Sequence, residues 1–186
     1  MKSLNIKSGS LLYADPLLHD SYFGRSVILL TSHDKNGSVG LIVNKKLTVS
    51  LKDILPEPLN VDFEVYYGGP VSNYTLYFIH SIGNKVPESV PVGKKIFWGG
   101  DFSFIAGLIE NHQVDSSQIK FFIGYSGWGV GQLEEELRAK SWILGNEAPK
   151  FVLNGEASNE AWMTKMNKMG NKYSVWANFP QNPSVN

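Results

Sequence analysis

The chain has 186 residues, 42% hydrophobic and 12% aromatic, which sets aside disordered and low-complexity classes. That length fits one domain able to bury roughly 70% of its unfolded surface. Seventeen Lys plus Arg balance seventeen Asp plus Glu, so no net field favours a polyanionic partner, and zero cysteines exclude disulfides, thiolate zinc sites and thiol nucleophiles.

The N-terminus carries an early lysine but no apolar stretch of signal-peptide length, and no run reaches membrane-spanning length. A cytoplasmic protein without membrane association is the expectation. The paired lysines Lys45-Lys46 and Lys94-Lys95 read as solvated edges.

Two apolar runs, Ser26 to Thr31 and Ser38 to Asn44, flank Asp34-Lys-Asn-Gly37. Asn36-Gly37 predicts a hairpin with a type I′ turn, which needs positive φ at both central residues. Lys35 then pairs with Ser38 and His33 faces Gly40. That register puts Ile28, Leu30, Val39, Leu41 and Val43 on a core face. Leu29, Thr31, His33, Gly40, Ile42 and Asn44 fall on a mixed one.

Ser50-Leu-Lys-Asp53 fits a capping box, and Pro56 stops that helix early. Strands are expected at 63–67 and 74–80, separated by Gly68-Gly-Pro-Val71, followed by a loop over 83–94. Asp101 can cap a helix with Phe104, Ile105, Leu108 and Ile109 inward. A strand over 118–123 follows, with Ile119, Phe121 and Ile123 alternating.

Next comes Gly124-Tyr-Ser-Gly-Trp-Gly-Val-Gly131, read as a glycine loop leading into a helix. In that helix Leu133 and Leu137 face inward, and Glu134–Arg138 and Glu136–Lys140 pair outside. Trp142 to Leu144 and Lys150 to Leu153 read as short strands. A last helix, about 159–169, packs Trp162, Met166 and Met169 and ends at Gly170. The expected domain covers 1–178, with an irregular tail over 179–186. Hairpins without regular βαβ spacing predict an α+β fold with a mixed or antiparallel sheet. The echo between Tyr-Tyr-Gly-Gly-Pro (66–70) and Phe-Trp-Gly-Gly-Asp (97–101) reads as shared turn chemistry, not duplication.

The glycine loop admits several chemical readings. A nucleophile elbow needs Gly-x-Ser-x-Gly, but Trp128 stands where its second glycine belongs, and no pattern selects a partner for Ser126 among His19, His33, His80 and His112. Phosphate binding lacks the P-loop Lys-Ser/Thr and would face Glu134, Glu135 and Glu136. A structural role leaves Tyr125 and Trp128 as anchors and Gln132 as a local cap. A binding role has Tyr125 and Trp128 contact a ligand or partner.

His33 beside Asp34 is a candidate general base or a space-filler opposite glycine, and His80 reads as a satisfied edge histidine. No spacing marks a metal site, and no cofactor is implied. The Met163, Met166 and Met169 stripe reads as core. Asp15, Asp20 and Asp101 sit where turns and caps use aspartate.

Taken together, several motifs resemble the AlgH/YqgE family of bacterial proteins. They are Gly9-Ser-Leu-Leu-Tyr-Ala-Asp-Pro16, Phe23 to Leu30, His33, Gly37-Ser-Val-Gly-Leu-Ile-Val-Asn44, Tyr67-Gly-Gly-Pro-Val71, His80, Gly124 to Glu134 and Trp142. Ser126 stands where alanine is more usual in that family. The resemblance implies a single α+β domain whose coiled sheets fold into a pseudo-barrel with flanking helices. It implies no assigned catalytic residue, and a suggested link to transcriptional regulation. No helix-turn-helix or basic recognition helix is visible, the last helix offering only Lys165 and Lys168, so that link is expected to be indirect rather than through DNA.

The reading is therefore a non-enzymatic binding or regulatory protein that engages a protein or small ligand. Its candidate residues are His33, Asn44, Gly68, Gly69, Tyr125, Gly127, Trp128, Gly129 and Gln132. A serine hydrolase using Ser126 with a histidine is the alternative.

Overall fold

A computed structural model of the chain describes residues 5–145, 150–153 and 158–179. The strands are β1 Leu11–Ala14, β2 Val27–Asp34, β3 Gly37–Ile42, β4 Lys46–Ser50, β5 Glu64–Tyr67, β6 Val71–His80, β7 Val90–Pro91, β8 Phe97–Trp98, β9 Ile119–Trp128 and β10 Trp142–Gly145. The helices are α1 Leu51–Ile54, α2 Phe102–Glu110, α3 Gln132–Arg138, α4 Lys150–Leu153, α5 Asn159–Lys168 and α6 Asn171–Asn178.

The sheet runs β10-β1-β2-β3-β9-β6-β8-β7, with β4 attached through β5. Every pairing is antiparallel except β5 with β9. This is the expected α+β single domain. Among the described residues the sheet is open, with β10 and β7 at its ends, so the closure of a pseudo-barrel is not formed.

The centre of the sheet is β9, which has three partners. Its first half pairs in parallel with β5 (Val65 with Phe121, Tyr67 with Ile123), and its last residues pair with β3 (Gly40 with Ser126, Ser38 with Trp128). From Ile119 to Tyr125 it also borders β6. Gly124, at φ +71, marks the exchange of β5 for β3. The expected loop over 124–128 is therefore a strand: a left-handed glycine redirects the chain there without ending it.

The hairpin forms in a different register from the expected one. Asp34 pairs with Gly37, His33 with Ser38 and Ser32 with Val39; beyond a bulge at Thr31, Leu30 pairs with Gly40 and Ile28 with Ile42. The turn residues are Lys35 and Asn36, and neither takes positive φ. Asp34 Oδ1 accepts from the Asn36 amide at 2.7 Å, which closes the turn. Gly37 serves the strand contact instead, since a Cβ there would lie 2.3 Å from the Trp128 carbonyl oxygen.

The bulge also overturns the expected faces, because a one-residue shift exchanges them. Val27, Leu29, Leu41 and Val43 share one cluster with Trp162, Met166 and Ala177 of α5 and α6. Ile28, Leu30 and Ile42 share another with Leu133 and Leu137 of α3. Both faces are core, so the runs are continuous rather than alternating. A third cluster packs Leu51, Ile105 and Ile109 against Phe63, Phe78 and Phe121.

The local signals held at several places. Asp53 accepts from the Ser50 amide and hydroxyl at 2.7 and 3.0 Å, and Asp101 caps α2 through the Ser103 and Phe104 amides. Phe104 itself, expected inward, is exposed. Residues 150–153 form a helical turn instead of a strand, and α6 follows Gly170 where no helix was expected. The tail beyond Phe179 lies outside the described residues.

Candidate functional site

Two glycine motifs far apart in sequence pack against each other. A Cβ on Gly68 would sit 2.1 Å from the Gly124 carbonyl oxygen, and one on Gly124 would sit 2.3 Å from that of Gly69. Gly69, at φ +149, would collide with the Tyr125 backbone. Real Cβ atoms do not approach backbone this closely, so these three positions exclude side chains for steric reasons. Ser126, fully buried beside them, donates its hydroxyl to the Gly68 carbonyl at 3.1 Å. It fastens β9 to the 68–70 turn.

Trp128 is 6% exposed, deeper than an anchor waiting for a partner. Its ring stacks on Phe23 and meets Trp142 edge-on at 5.9 Å. Glu136 accepts from Trp128 Nε1 at 2.9 Å, from Trp142 Nε1 at 2.6 Å and from Gln132 Nε2 at 2.8 Å. The expected Glu136–Lys140 surface pair is replaced by this half-covered carboxylate, which orients two indoles. Gln132 also accepts from the Gly129 amide at 2.9 Å, the local cap expected of it.

Asn44 is buried and structural. Its Oδ1 accepts from the Val27 amide at 2.7 Å, and its Nδ2 donates to the Arg25 carbonyl at 3.0 Å. His33 Nδ1 meets the Ser38 hydroxyl at 2.8 Å, and Nε2 lies 3.8 Å from Glu134, tying the hairpin tip to α3. His80 lies within the sheet rather than at its edge. It is stacked on Phe97 at 5.6 Å, with Nε2 3.2 Å from the Gly99 carbonyl and Nδ1 unpartnered among the described residues. Burial lowers its pKa, which keeps it neutral with the proton on Nε2.

Three of the candidate residues do share a surface. Tyr125, Gly127 and Trp128 line an open groove of about 460 Å³ with Asp34, Asn36 and Val71. Ser32 and Asp34 reach it from β2, so the alternation of the strand turns His33 to the opposite face. The Tyr125 ring is held edge-on against Tyr77 at 5.7 Å, and Tyr77 stacks on Trp98 at 5.4 Å. Gly127 differs from its neighbours in the motif. Its φ is not positive, and an added Cβ would meet nothing closer than the Tyr125 ring at 3.4 Å and Val71 at 3.9 Å. Packing leaves room for a side chain, and the groove floor is bare backbone.

A second set of residues escaped the sequence reading. Lys120 sits between the inward Ile119 and Phe121 and so read as outward; the second face of β9 is covered too, and Lys120 is 4% exposed. Burial pushes its amine down to about 7, opposed by the Glu64 carboxylate. Tyr66 donates to Glu64 at 2.8 Å, and burial, first, and then this bond push its phenol up. Lys46 pairs with the same carboxylate at 2.5 Å; together these bonds hold Glu64 below the usual range. The only sequence signal was a lysine inside Ile-Lys-Phe-Phe-Ile, a run too apolar for a strand with a wet face.

The fold and these contacts define a single-domain α+β protein with an open, mostly antiparallel sheet. The chain belongs to the AlgH-like family, which residues 11–174 match. A UPF0301 protein of Bacteroides thetaiotaomicron is 37% identical over 180 residues, covering 96% of this chain and 90% of the relative. One from Cytophaga hutchinsonii is 36% identical over 184 residues, covering 97% of this chain and all of the relative. The solution structure of the AlgH protein from Pseudomonas aeruginosa superposes with a TM-score of 0.71 at 21% identity, covering 97% of this chain and 98% of that one. A crystal structure from Corynebacterium diphtheriae gives 0.74 at 19% identity, covering 96% and 95%.

Proposed function

We propose that this protein is a non-enzymatic bacterial binding protein, acting in the cytoplasm, whose recognition surface is the groove over Tyr125 and Gly127. Any effect on transcription runs through a bound ligand or protein partner and not through DNA. The observation that carries the reading is Gly127. The glycines at 68, 69 and 124 are demanded by backbone contacts, whereas the one at 127 is not, and its missing side chain leaves the groove floor open. Asp34 and Tyr125 are the ionisable side chains on the groove's rim, which suits an uncharged or cationic group stacked on the phenol.

A fragment screen read by amide chemical shifts tests this. Binders are expected to perturb Val71, Tyr125 and Gly127, and to be lost in Gly127→Val while its melting temperature holds. Unchanged binding in that variant removes the assignment.

The hydrolase alternative has little support in the geometry. Ser126 spends its hydroxyl on Gly68, and Ser38, the serine that does touch an imidazole, is 4% exposed. A fluorophosphonate probe is expected to label neither. A stoichiometric adduct on either serine would replace the binding reading with an acyl-transfer one.

A further inference from the structure

We propose that Lys120 is a reactive amine that captures a small uncharged aldehyde or ketone as a reversible imine, in the cavity where β5 and β9 meet α4. This site is separate from the groove over Gly127 and does not depend on it. The cavity measures about 330 Å³, and its lining includes Asp62, Glu64, Tyr66, Ser117, Lys120 and Leu153. That volume suits a small ligand.

The surroundings of the amine are unusual for a buried lysine. Nζ donates to the Val43 carbonyl at 2.8 Å and to the Val152 carbonyl at 3.3 Å, and lies 3.7 Å from the centre of the Tyr66 ring. Among the described residues no carboxylate pairs with it, unlike Lys46, which pairs with Glu64. Buried lysines are ordinarily compensated by a counter-ion. Here Glu64 is engaged by Lys46 and the Tyr66 hydroxyl instead.

The two carbonyls take the two hydrogens that a neutral amine possesses. Protonated, the third hydrogen rests on the Tyr66 face, which offsets part of the burial penalty; deprotonated, no hydrogen bond of the amine is lost, and the lone pair becomes reachable when the Tyr66 ring turns aside. The depressed basicity described above leaves a large share of the amine neutral near pH 7.

The chemistry balances without a redox partner. The Nζ lone pair adds to the carbonyl carbon, and the oxygen takes a proton from the nitrogen to give a carbinolamine. That oxygen then leaves as water while the C=N bond forms. Amine plus carbonyl compound gives imine plus water, both hydrogens of the water coming from the amine nitrogen. Asp62 and Glu64 on the same wall disfavour a keto acid and favour an uncharged carbonyl compound.

The test traps the imine in the intact protein with propanal and cyanoborohydride at pH 7, followed by peptide mapping. Lys120 is expected to be alkylated roughly tenfold or more faster than the exposed Lys52, because an ordinary lysine is almost wholly protonated there. Pyrenecarboxaldehyde, too broad for the cavity, should label surface lysines and spare Lys120. Two results would overturn the proposal. One is propanal modification of Lys120 no faster than that of Lys52. The other is pyrene labelling of Lys120 at the surface rate, which would make it an amine exposed by local opening.

Discussion

Gly68 and Gly124 pass each other backbone on backbone, and a methyl group on Gly68 would stand 2.1 Å from the Gly124 carbonyl oxygen. This contact joins the turn before β6 to the point where β9 changes partners. Gly68→Ala is expected to destabilise the fold by about 2–4 kcal/mol, since both opposing groups are backbone and cannot swing away. Gly127→Ala should change stability by under about 1 kcal/mol, with the gain of a strand side chain offsetting the contact with Tyr125. Urea titration of the two variants separates a glycine required by packing from one that is not; equal losses would refute the distinction.

Glu136 carries the orientation of Trp128 and Trp142. Glu136→Ala leaves the indole N–H groups of two buried tryptophans without an acceptor and should cost about 2–3 kcal/mol. Glu136→Gln keeps an acceptor oxygen and should cost roughly half as much. The near-ultraviolet circular dichroism of the tryptophans should change more in the alanine variant than in the glutamine one.

Asn44→Ala removes the partner of the buried Val27 amide and of the Arg25 carbonyl, with an expected loss of about 2–3 kcal/mol. The effect should appear in hydrogen exchange as faster exchange at Val27, where β2 begins. An unprotected Val27 amide in the wild type would contradict the hydrogen bond.

Lys120 makes stability depend on pH in a definite direction. Its folded pKa, about 7, is depressed below the unfolded value of about 10.4. Between those values the unfolded chain binds a proton that the folded chain does not, so stability rises with pH, by up to about 1.4 kcal/mol per unit. Below about pH 7 the penalty is full and flat. Glu64 and Tyr66 are the ionisable groups facing the amine; Tyr66, with its raised pKa, acts in the opposite direction above about pH 10. The useful window is therefore about pH 7 to 9.5. Lys120→Met should lower the slope there, leaving the part that Lys45, also depressed by burial, contributes, as measured by chemical denaturation of both proteins; equal slopes would show that the Lys120 amine stays protonated.

Local rules were legible in the residues. Ser50 with Asp53, Asp101 before α2, and Gly170 after α5 all act over one turn of chain, where neighbours alone decide the outcome. The glycine motif was recognisable as a specified geometry, but Gly124 redirects a strand where a loop was expected. The missed helix α6 and the helical turn at 150–153 are short elements, whose stability comes from packing rather than from periodicity. Trp128 admitted two readings, an anchor of its own loop or a contact for a partner, because an aromatic among glycines has no partner in its own segment; Phe23, Glu136 and Trp142 reach it from elsewhere in the chain.

The sequence by itself determined the α+β class, the family, and the short-range helix caps, because each depends on residues within a few positions of one another or on whole motifs kept in order. Only the tertiary structure decided what the glycines are for. Whether a missing side chain makes way for the backbone of β9 or leaves a floor open to a ligand depends on atoms far away in the chain, as between Gly68 and Gly124 or between Gly127 and Val71. Lys120 follows the same logic: its charge was plain in the chain, but the chemistry of its amine was set by what the folded sheet placed on its second face.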